Sequence, residues 1–441
     1  MESMKLNFGA LLAYLSWAIV QMQDPRKASN ATRYSLSDAV LGAFSVFFMQ
    51  SESFLEHQRQ MESRQGKNNA QTLFGMIQIP SVPQIRNILD AIPAKALFGI
   101  FHCVYQALQR GGHLKPFEFL GGLLIALDGT EYFNSKKLHC ESCSSRTHQN
   151  GNVTYFHGAI LPVIVAPEQS QVISLAPEFI TPQDGHEKQD CEVAAAKRWV
   201  ATHASNFARC PVTLLGDDLY SHQPMCEAIL AAGMNFIFTC LPNSHTALYE
   251  WLTYVEGIGE VQTLQGKQWN KNVRELYQYR FVNGIPLRDS QPAIEVNWCE
   301  MTLTRESDAK VLYQNAFCTN HVLTTQSVPL VAAAGRCRWK TENENHNVLK
   351  TKGYHLEHNF GHGQNHLAAC LLTLNLLAFL FHTVLHLTDA DYQQIRQKRG
   401  TRKGFFQDIL SLTKYLLFDS WQSLIEFMLY GSPPIQAANS S

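Results

Sequence analysis

An excess of charge of either sign is what this sequence most plainly lacks. Its 36 lysines and arginines stand against 37 aspartates and glutamates, a formal net charge of -1 over 441 residues. No global basic field gathers nucleic acid, so any positive surface has to be assembled locally. A disulfide framework is also missing. The 11 cysteines are odd in number, scattered, and mostly set in apolar segments such as Phe236-Ile-Phe-Thr-Cys240-Leu241. That is the usage of free thiols in a reducing cytoplasm. Met1-Glu-Ser-Met-Lys5 lacks a signal-peptide layout. Long apolar runs are reduced to one, Leu367 to Leu387, which Thr373, Asn375, His382, Thr383 and His386 interrupt. Its length would cross a bilayer, but the interruptions and the want of a second run make it a core helix and exclude a membrane partner.

What is present is an ordinary globular composition, 45% apolar and 17% charged, long enough for two or three domains. The chain is organised around Leu123-Leu-Ile-Ala-Leu127-Asp128-Gly129, five apolar residues running into an acid and a turn. Such a run reads as a strand buried on both faces, with Asp128 at its end. Short β patterns follow at Val153–Phe156, Ala159–Val165 and Val172–Leu175, forming an antiparallel meander. A helix over Asp190–His203 leads to a second buried strand, Pro211 to Gly216, closed by Asp217-Asp218. A helix over Gln223–Ala232 and the strand Asn235–Cys240 come next. Three strands, a helix and a strand, with an acid at each of two strand ends, is the order of a ribonuclease-H-like core. The fold class expected is therefore α/β, a ribonuclease-H-like mixed sheet flanked by helices.

Residues 1–116 read as an all-helical N-terminal domain. Its expected helices are Leu6–Gln23, a long one from Ala39 to about Met61 behind a Ser35 cap, Thr72–Ile77, Val82–Ile92 and Ala94–Arg110. Gly66–Asn69 reads as a loop. Thr72–Ile77 and Val82–Ile92, separated by Gln78-Ile-Pro-Ser81, have the outline of a helix-turn-helix carrying Gln84, Arg86 and Asn87, or of a plain helical hairpin. Catalytic-domain residues 117–244 and 334–388 flank a β-rich insertion, 245–333, and a helical region closes the chain at 389–441. The insertion holds strand patterns at Glu275–Val282, Ala293–Thr304 and Val311–Thr319, with Trp269 and Trp298 among them. Core packing is the reading preferred for both tryptophans over holding an extruded base.

The third acid lies in Arg336-Cys-Arg338-Trp-Lys-Thr-Glu342-Asn-Glu344, where Arg338 and Glu342 stand four apart on one helical face. Acids at 128, 217 and 342, separated by 89 and 125 residues (217 − 128 and 342 − 217), compose a three-carboxylate site. Hard cations such as Mg²⁺ take oxygen ligands, and a pair of them can drive phosphoryl transfer.

Leu127-Asp-Gly-Thr-Glu-Tyr-Phe-Asn134, Leu215-Gly-Asp-Asp-Leu-Tyr-Ser-His222 and Arg338-Trp-Lys-Thr-Glu-Asn-Glu-Asn-His-Asn-Val-Leu-Lys350 together resemble a DDE transposase of bacterial insertion sequences. The group it resembles has a Tyr-Arg-Glu-Lys signature around the last acid. Arg86-Asn-Ile-Leu-Asp90 and Gly353-Tyr-His-Leu-Glu-His-Asn-Phe-Gly-His362 extend the likeness over nearly the whole chain. The resemblance implies Asp128, Asp217 and Glu342 as catalytic metal ligands, with two Mg²⁺ for which Mn²⁺ can substitute. It implies Arg338, Lys350 and Arg86 as contacts to DNA or phosphate. Two positions depart from the signature: its Tyr falls at Gly335, and its Lys at Leu349, beside Lys350. Asp218 and Glu344 compete with Asp217 and Glu342, the latter pair being favoured by strand-end position and by spacing from Arg338-Trp339. The implied partners are double-stranded DNA, at element ends and target, and a second copy of the chain on that DNA. The implied location is the bacterial cytoplasm, at the nucleoid when bound. The rivals are a ribonuclease-H-like nuclease without strand transfer and an inactive copy that binds ends.

Three further clusters remain. Cys140-Glu-Ser-Cys143, near His139, His148 and His157, has the spacing of a zinc knuckle, but no second pair follows, and free thiols on a polar hairpin are preferred to a structural zinc. His355, His358, His362 and His366 recur at spacings of three and four, but Gly361 and Gly363 favour a turn over a metal site. Lys136-Lys137 and Arg396, Lys398, Arg399, Arg402 and Lys403 supply local positive charge, as phosphate contacts or as a solvated basic surface.

Overall fold

The computed structural model describes residues 6–26, 33–62, 64–182, 188–270 and 273–431. Met1–Lys5 lie outside the described residues. The architecture is mixed α/β.

Helices α1 (Phe8–Gln21), α2 (Leu36–Phe48), α3 (Phe54–Glu62), α4 (Arg64–Phe74), α5 (Val82–Asp90) and α6 (Phe98–Arg110) come first. Ser35 caps α2 as its position suggests, its hydroxyl accepting the Asp38 N–H at 2.9 Å. The single long helix expected from Ala39 to Met61 is instead broken between α2 and α3. Gln50 takes a left-handed φ of 55°, and His57 closes the corner through Ser45 Oγ and Ser51 Oγ, each at 2.8 Å. The loop expected at Gly66–Asn69 is helical, within α4. Asn69 is buried there, and its amide donates to the carbonyls of Thr413 and Leu416, both at 2.7 Å. Those distant partners override a locally loop-like composition. Helix α5 packs chiefly on α2, and α4 on α3, so the two do not form the packed pair that a helix-turn-helix requires.

The strands are β1 (Glu118–Phe119), β2 (Gly122–Ala126), β3 (Gly129–Ser135), β4 (Ser144–Thr147), β5 (Val153–Ile160), β6 (Val163–Val165), β7 (Ile173–Ser174) and β8 (Glu178–Ile180). Then follow α7 (Lys188–His203), β9 (Val212–Gly216), α8 (Gln223–Ala231), β10 (Asn235–Thr239) and α9 (Thr246–Gly257). Strands β11 (Gln262–Asn270), β12 (Val273–Pro286), β13 (Glu295–Arg305) and β14 (Val311–Thr319) come before α10 (Val328–Arg336), a π-helical turn at Thr341–His346, and α11 (Asn347–Thr351). The chain ends in α12 (Leu367–Thr388), α13 (Ala390–Arg399), α14 (Arg402–Tyr415) and α15 (Trp421–Tyr430).

One 10-stranded sheet runs β11-β12-β13-β14-β10-β9-β2-β6-β7, with β1 paired to β2. Within it, β2, β9 and β10 are mutually parallel, and β6 and β7 continue antiparallel from β2. A smaller sheet holds β3, β5, β4 and β8. The expected meander thus divides: β5 pairs with β3 in the smaller sheet, whereas β6 and β7 pair with each other in the main sheet, where β6 also pairs with β2. The β-rich stretch prolongs the main sheet, β14 pairing antiparallel with β10. β11 escapes sequence inspection because it is polar and largely exposed. Helix α12 has the length and apolarity of a membrane span, yet it lies inside the fold against α2, α5 and β7. Asp90, at the end of α5, accepts the N–H groups of Gln364, Asn365, His366 and Leu367 at 3.0 Å, capping α12 from across the sequence.

Candidate active site

The parallel register of β2 and β9 sets Ala126 opposite Leu215, and the Leu127 N–H donates to the Leu215 carbonyl at 2.9 Å. Both strands are wholly buried and both run out at the same edge of the sheet. Asp128 and Asp217 therefore emerge side by side at the carboxyl ends of adjacent strands. Gly129 follows the first because a Cβ there would meet the Glu192 carboxylate at 2.6 Å.

Asp217 caps the 3₁₀ turn Asp218–Ser221, its Oδ1 accepting the Leu219 N–H at 3.0 Å. Asp218 is spent elsewhere: it accepts the Leu241 N–H at 2.6 Å and the Ser244 hydroxyl, holding the segment after β10. Of the two, Asp217 is the one whose charge acts on Asp128.

Glu342 comes from the π-helical turn, a geometry enriched at functional sites. Its carboxylate is exposed and pairs with Arg338 at 2.9 Å. Lys340, buried beside it, donates to the carbonyls of Ala166, Pro167 and Gln169, tying this turn to the chain beyond β6. Burial pushes the Asp128 carboxyl up to about 7, Arg338 opposes this, and Glu192, Asp217 and Glu342 add to it. Asp217 is also raised, first by burial, against the Leu219 N–H and Arg338 and with help from Asp218 and Glu342. The three acids and Arg338 thus share one field. Glu344 does not enter it. Among the described residues, however, the three carboxylates do not gather their oxygens within 4.8 Å of one another.

Two members were missed from sequence. Glu192 on α7 accepts from the Tyr220 hydroxyl at 2.7 Å and the Gly129 N–H at 3.2 Å, a fourth acid behind Asp128. His346 is buried on the inner face of the π-helical turn, with Nδ1 3.4 Å from Asp128 Oδ2. Burial, aided by Lys350 and Arg338, lowers its imidazole to about 4 and keeps it neutral. Neither carries a local signal, since each acts through a partner far along the chain.

The other sequence candidates scatter. Lys350 is paired with Glu357 at 3.1 Å. Arg86 is half-buried with its Nε lacking a partner, packed where a Cβ on Gly361 would come within 3.1 Å. The departures from the signature have physical causes. A side chain at Gly335 would meet the Phe317 ring at 2.6 Å, and Leu349 is fully buried. The basic cluster near the C-terminus is largely occupied. Arg399 pairs with Asp408 at 2.8 Å, Arg402 donates to the Tyr354 hydroxyl at 2.9 Å, and Arg396 lies over Phe405. Lys136, Lys137 and Lys403 are exposed. Trp298 is core, but Trp269 is 70% exposed, against the core reading; Trp339, next to Arg338, is half-exposed. Cys140 and Cys143 meet His157, noted near them in the sequence, and His362, which the sequence reading placed in a separate histidine run.

The donor set at the strand ends suits a hard divalent cation. It is all oxygen, its carboxylates outnumber the one guanidinium, and the proton that Asp128 retains is what a cation would displace. The chain matches no protein-family model, and no curated protein matches it.

Proposed function

We propose that this chain is a DDE transposase with a ribonuclease-H-like catalytic core, cutting DNA at element ends and joining the freed ends to a target. The observation that carries this reading is the placement of Asp128 and Asp217 at the ends of neighbouring parallel strands, with Glu342 on a helical turn in the same field. The order β7-β6-β2-β9-β10, antiparallel twice and then parallel twice, is what a ribonuclease-H-like core calls for.

Asp128, Asp217 and Glu342 would hold Mg²⁺, which supplies Lewis-acid activation and charge neutralisation in phosphoryl transfer. The protein's own part is positioning and electrostatics. Arg338, half-buried beside the acids, offers two N–H groups to non-bridging phosphate oxygens once Glu342 turns away from it. His346 holds Asp128 in orientation, and Glu192, through Gly129 N–H, fixes the turn that presents it. Trp339 offers an exposed aromatic face next to that phosphate site, suited to stacking on a base. In cleavage, water oxygen bonds to phosphorus as the bond to the 3′ oxygen breaks, leaving a 3′-hydroxyl. In joining, that hydroxyl attacks a target phosphodiester and displaces its 3′ oxygen. Two ends must meet for the second step, which calls for two copies of the chain on DNA.

The test is cleavage of a labelled duplex carrying the DNA that flanks the coding sequence, with Mg²⁺ or Mn²⁺. Loss of a metal ligand removes several kcal/mol of transition-state stabilisation, so Asp128→Asn or Glu342→Gln should slow cutting by about 100-fold or more. A wild-type chain that binds this duplex but never nicks it overturns the proposal. Nicks without joined products reduce it to a nuclease.

A further inference from the structure

The loop after β3 brings Cys140 and Cys143 to His157 on β5 and to His362 in the segment before α12. All four ligand atoms lie within 4.8 Å of one another. The two sulfurs are 3.9 Å apart and the two Nε2 atoms 3.1 Å. The sulfur–nitrogen separations are 3.6 Å for Cys140–His157, 3.4 Å for Cys143–His157 and 3.3 Å for Cys143–His362. A tetrahedral zinc with bonds of about 2.3 Å to sulfur and about 2.05 Å to nitrogen has edges of about 3.8 Å (S–S), 3.4 Å (N–N) and 3.6 Å (S–N). Each of these five separations lies within about 0.3 Å of the corresponding tetrahedral edge.

The surroundings agree. Phe133 packs against the His362 ring at 4.4 Å and Tyr132 stacks on His157 at 5.8 Å, enclosing the cluster on its histidine side, while both cysteines are half-buried. Both histidines are buried. Four protein ligands leave no open position, the pattern of a structural and not a catalytic site.

We propose that Cys140, Cys143, His157 and His362 bind one zinc ion as a closed structural site, independent of the carboxylate site and of the function proposed for it. The ion would join stretches of chain up to 219 residues apart. His362 stands between Gly361, which abuts Arg86, and Gly363, which abuts Asp90, so the clamp ties the smaller sheet to the α5–α12 junction. It also fixes the loop that carries Lys136 and Lys137.

The full chain, purified without chelator, should contain about one zinc per molecule by elemental mass spectrometry. Cys143→Ser and His362→Ala should each bring that to background, while Asp217→Asn keeps it. Should the variants fail to fold, the wild type decides: after zinc removal, added Co²⁺ should give the visible bands and thiolate charge-transfer absorption of a tetrahedral S₂N₂ site. Wild type that holds neither zinc nor Co²⁺ overturns the proposal. So does zinc that persists undiminished in Cys143→Ser, or a Cys140–Cys143 disulfide in protein prepared under reductant.

Discussion

His346 Nδ1 stands 3.4 Å from Asp128 Oδ2, so the helical turn that carries Glu342 also touches the acid at the end of β2. The contact links two carboxylates 214 residues apart (342 − 128) through one buried imidazole. The neutral imidazole packs against that carboxylate and restricts its rotamer.

Replacing His346 with Ala should slow DNA cleavage by about 10-fold, the scale of about 1.4 kcal/mol of lost positioning. The acid limb of the pH–rate profile should move to lower pH, because opening the space beside Asp128 to water relieves the burial that raises its carboxyl. His346→Asn should restore part of both. A lower melting temperature with an unmoved pH profile would leave His346 a packing residue only.

Asp128 also sets a pH dependence of stability. Its carboxyl is raised from 3.8 to about 7, so the native state holds that proton more tightly than the unfolded chain. Below about pH 4 both states are protonated and nothing is lost. Between about pH 4 and 7 stability falls, and above 7 the full cost stands, about 4 kcal/mol at most. In chelator, melting temperature should drop from pH 5 to pH 8 in wild type and far less in Asp128→Asn. Millimolar Mg²⁺ should recover the loss at pH 8 in wild type alone. Parallel curves for the two proteins would sink this account.

The adjacent acids at the end of β9 should separate by phenotype. Asp217→Asn should abolish cleavage and leave stability nearly unchanged. Asp218→Asn should cut DNA within a few-fold of wild type but melt lower, since Leu241 N–H and the Ser244 hydroxyl lose a charged acceptor worth about 1.5–3 kcal/mol. The reverse pattern would move the active-site assignment to Asp218.

What was legible in the sequence is what short-range pattern encodes. Leu123–Leu127 and Val212–Leu215 are apolar runs too dense for an edge strand, and the acids after them mark where the chain leaves the core. Ser35 announces the start of α2. The break at Gln50 is not announced, because the apolar period runs on and only the contact of His57 with Ser45 and Ser51 closes the corner. β11 hides because an exposed edge strand of Gln, Thr and Lys has no apolar alternation to detect. Glu192 and His346 are invisible, and His362 shows only as one of a run of histidines, for one shared reason. Their partners are brought near by strand pairing and helix docking, which no local spacing records. The CxxC at Cys140 was half of a motif whose other half lay 14 to 219 residues away.

Asp90 gives a test of the docking itself. Burial favours its neutral form, but four backbone N–H donors at the start of α12 outweigh that and hold the carboxyl below its usual range. Since the folded value is lowered, the stabilisation is present above about pH 4 and is lost as pH falls through the folded value. Asp90→Ala removes all four acceptor contacts at once and leaves the first turn of a buried helix uncapped. Destabilisation should be about 2 kcal/mol at pH 7 by urea titration, the upper end for a lost cap, and should shrink toward pH 3. Asp90→Asn, which keeps an acceptor oxygen, should cost about half as much. An equal loss at both pH values would mean that Asp90 acts through packing and not through its charge.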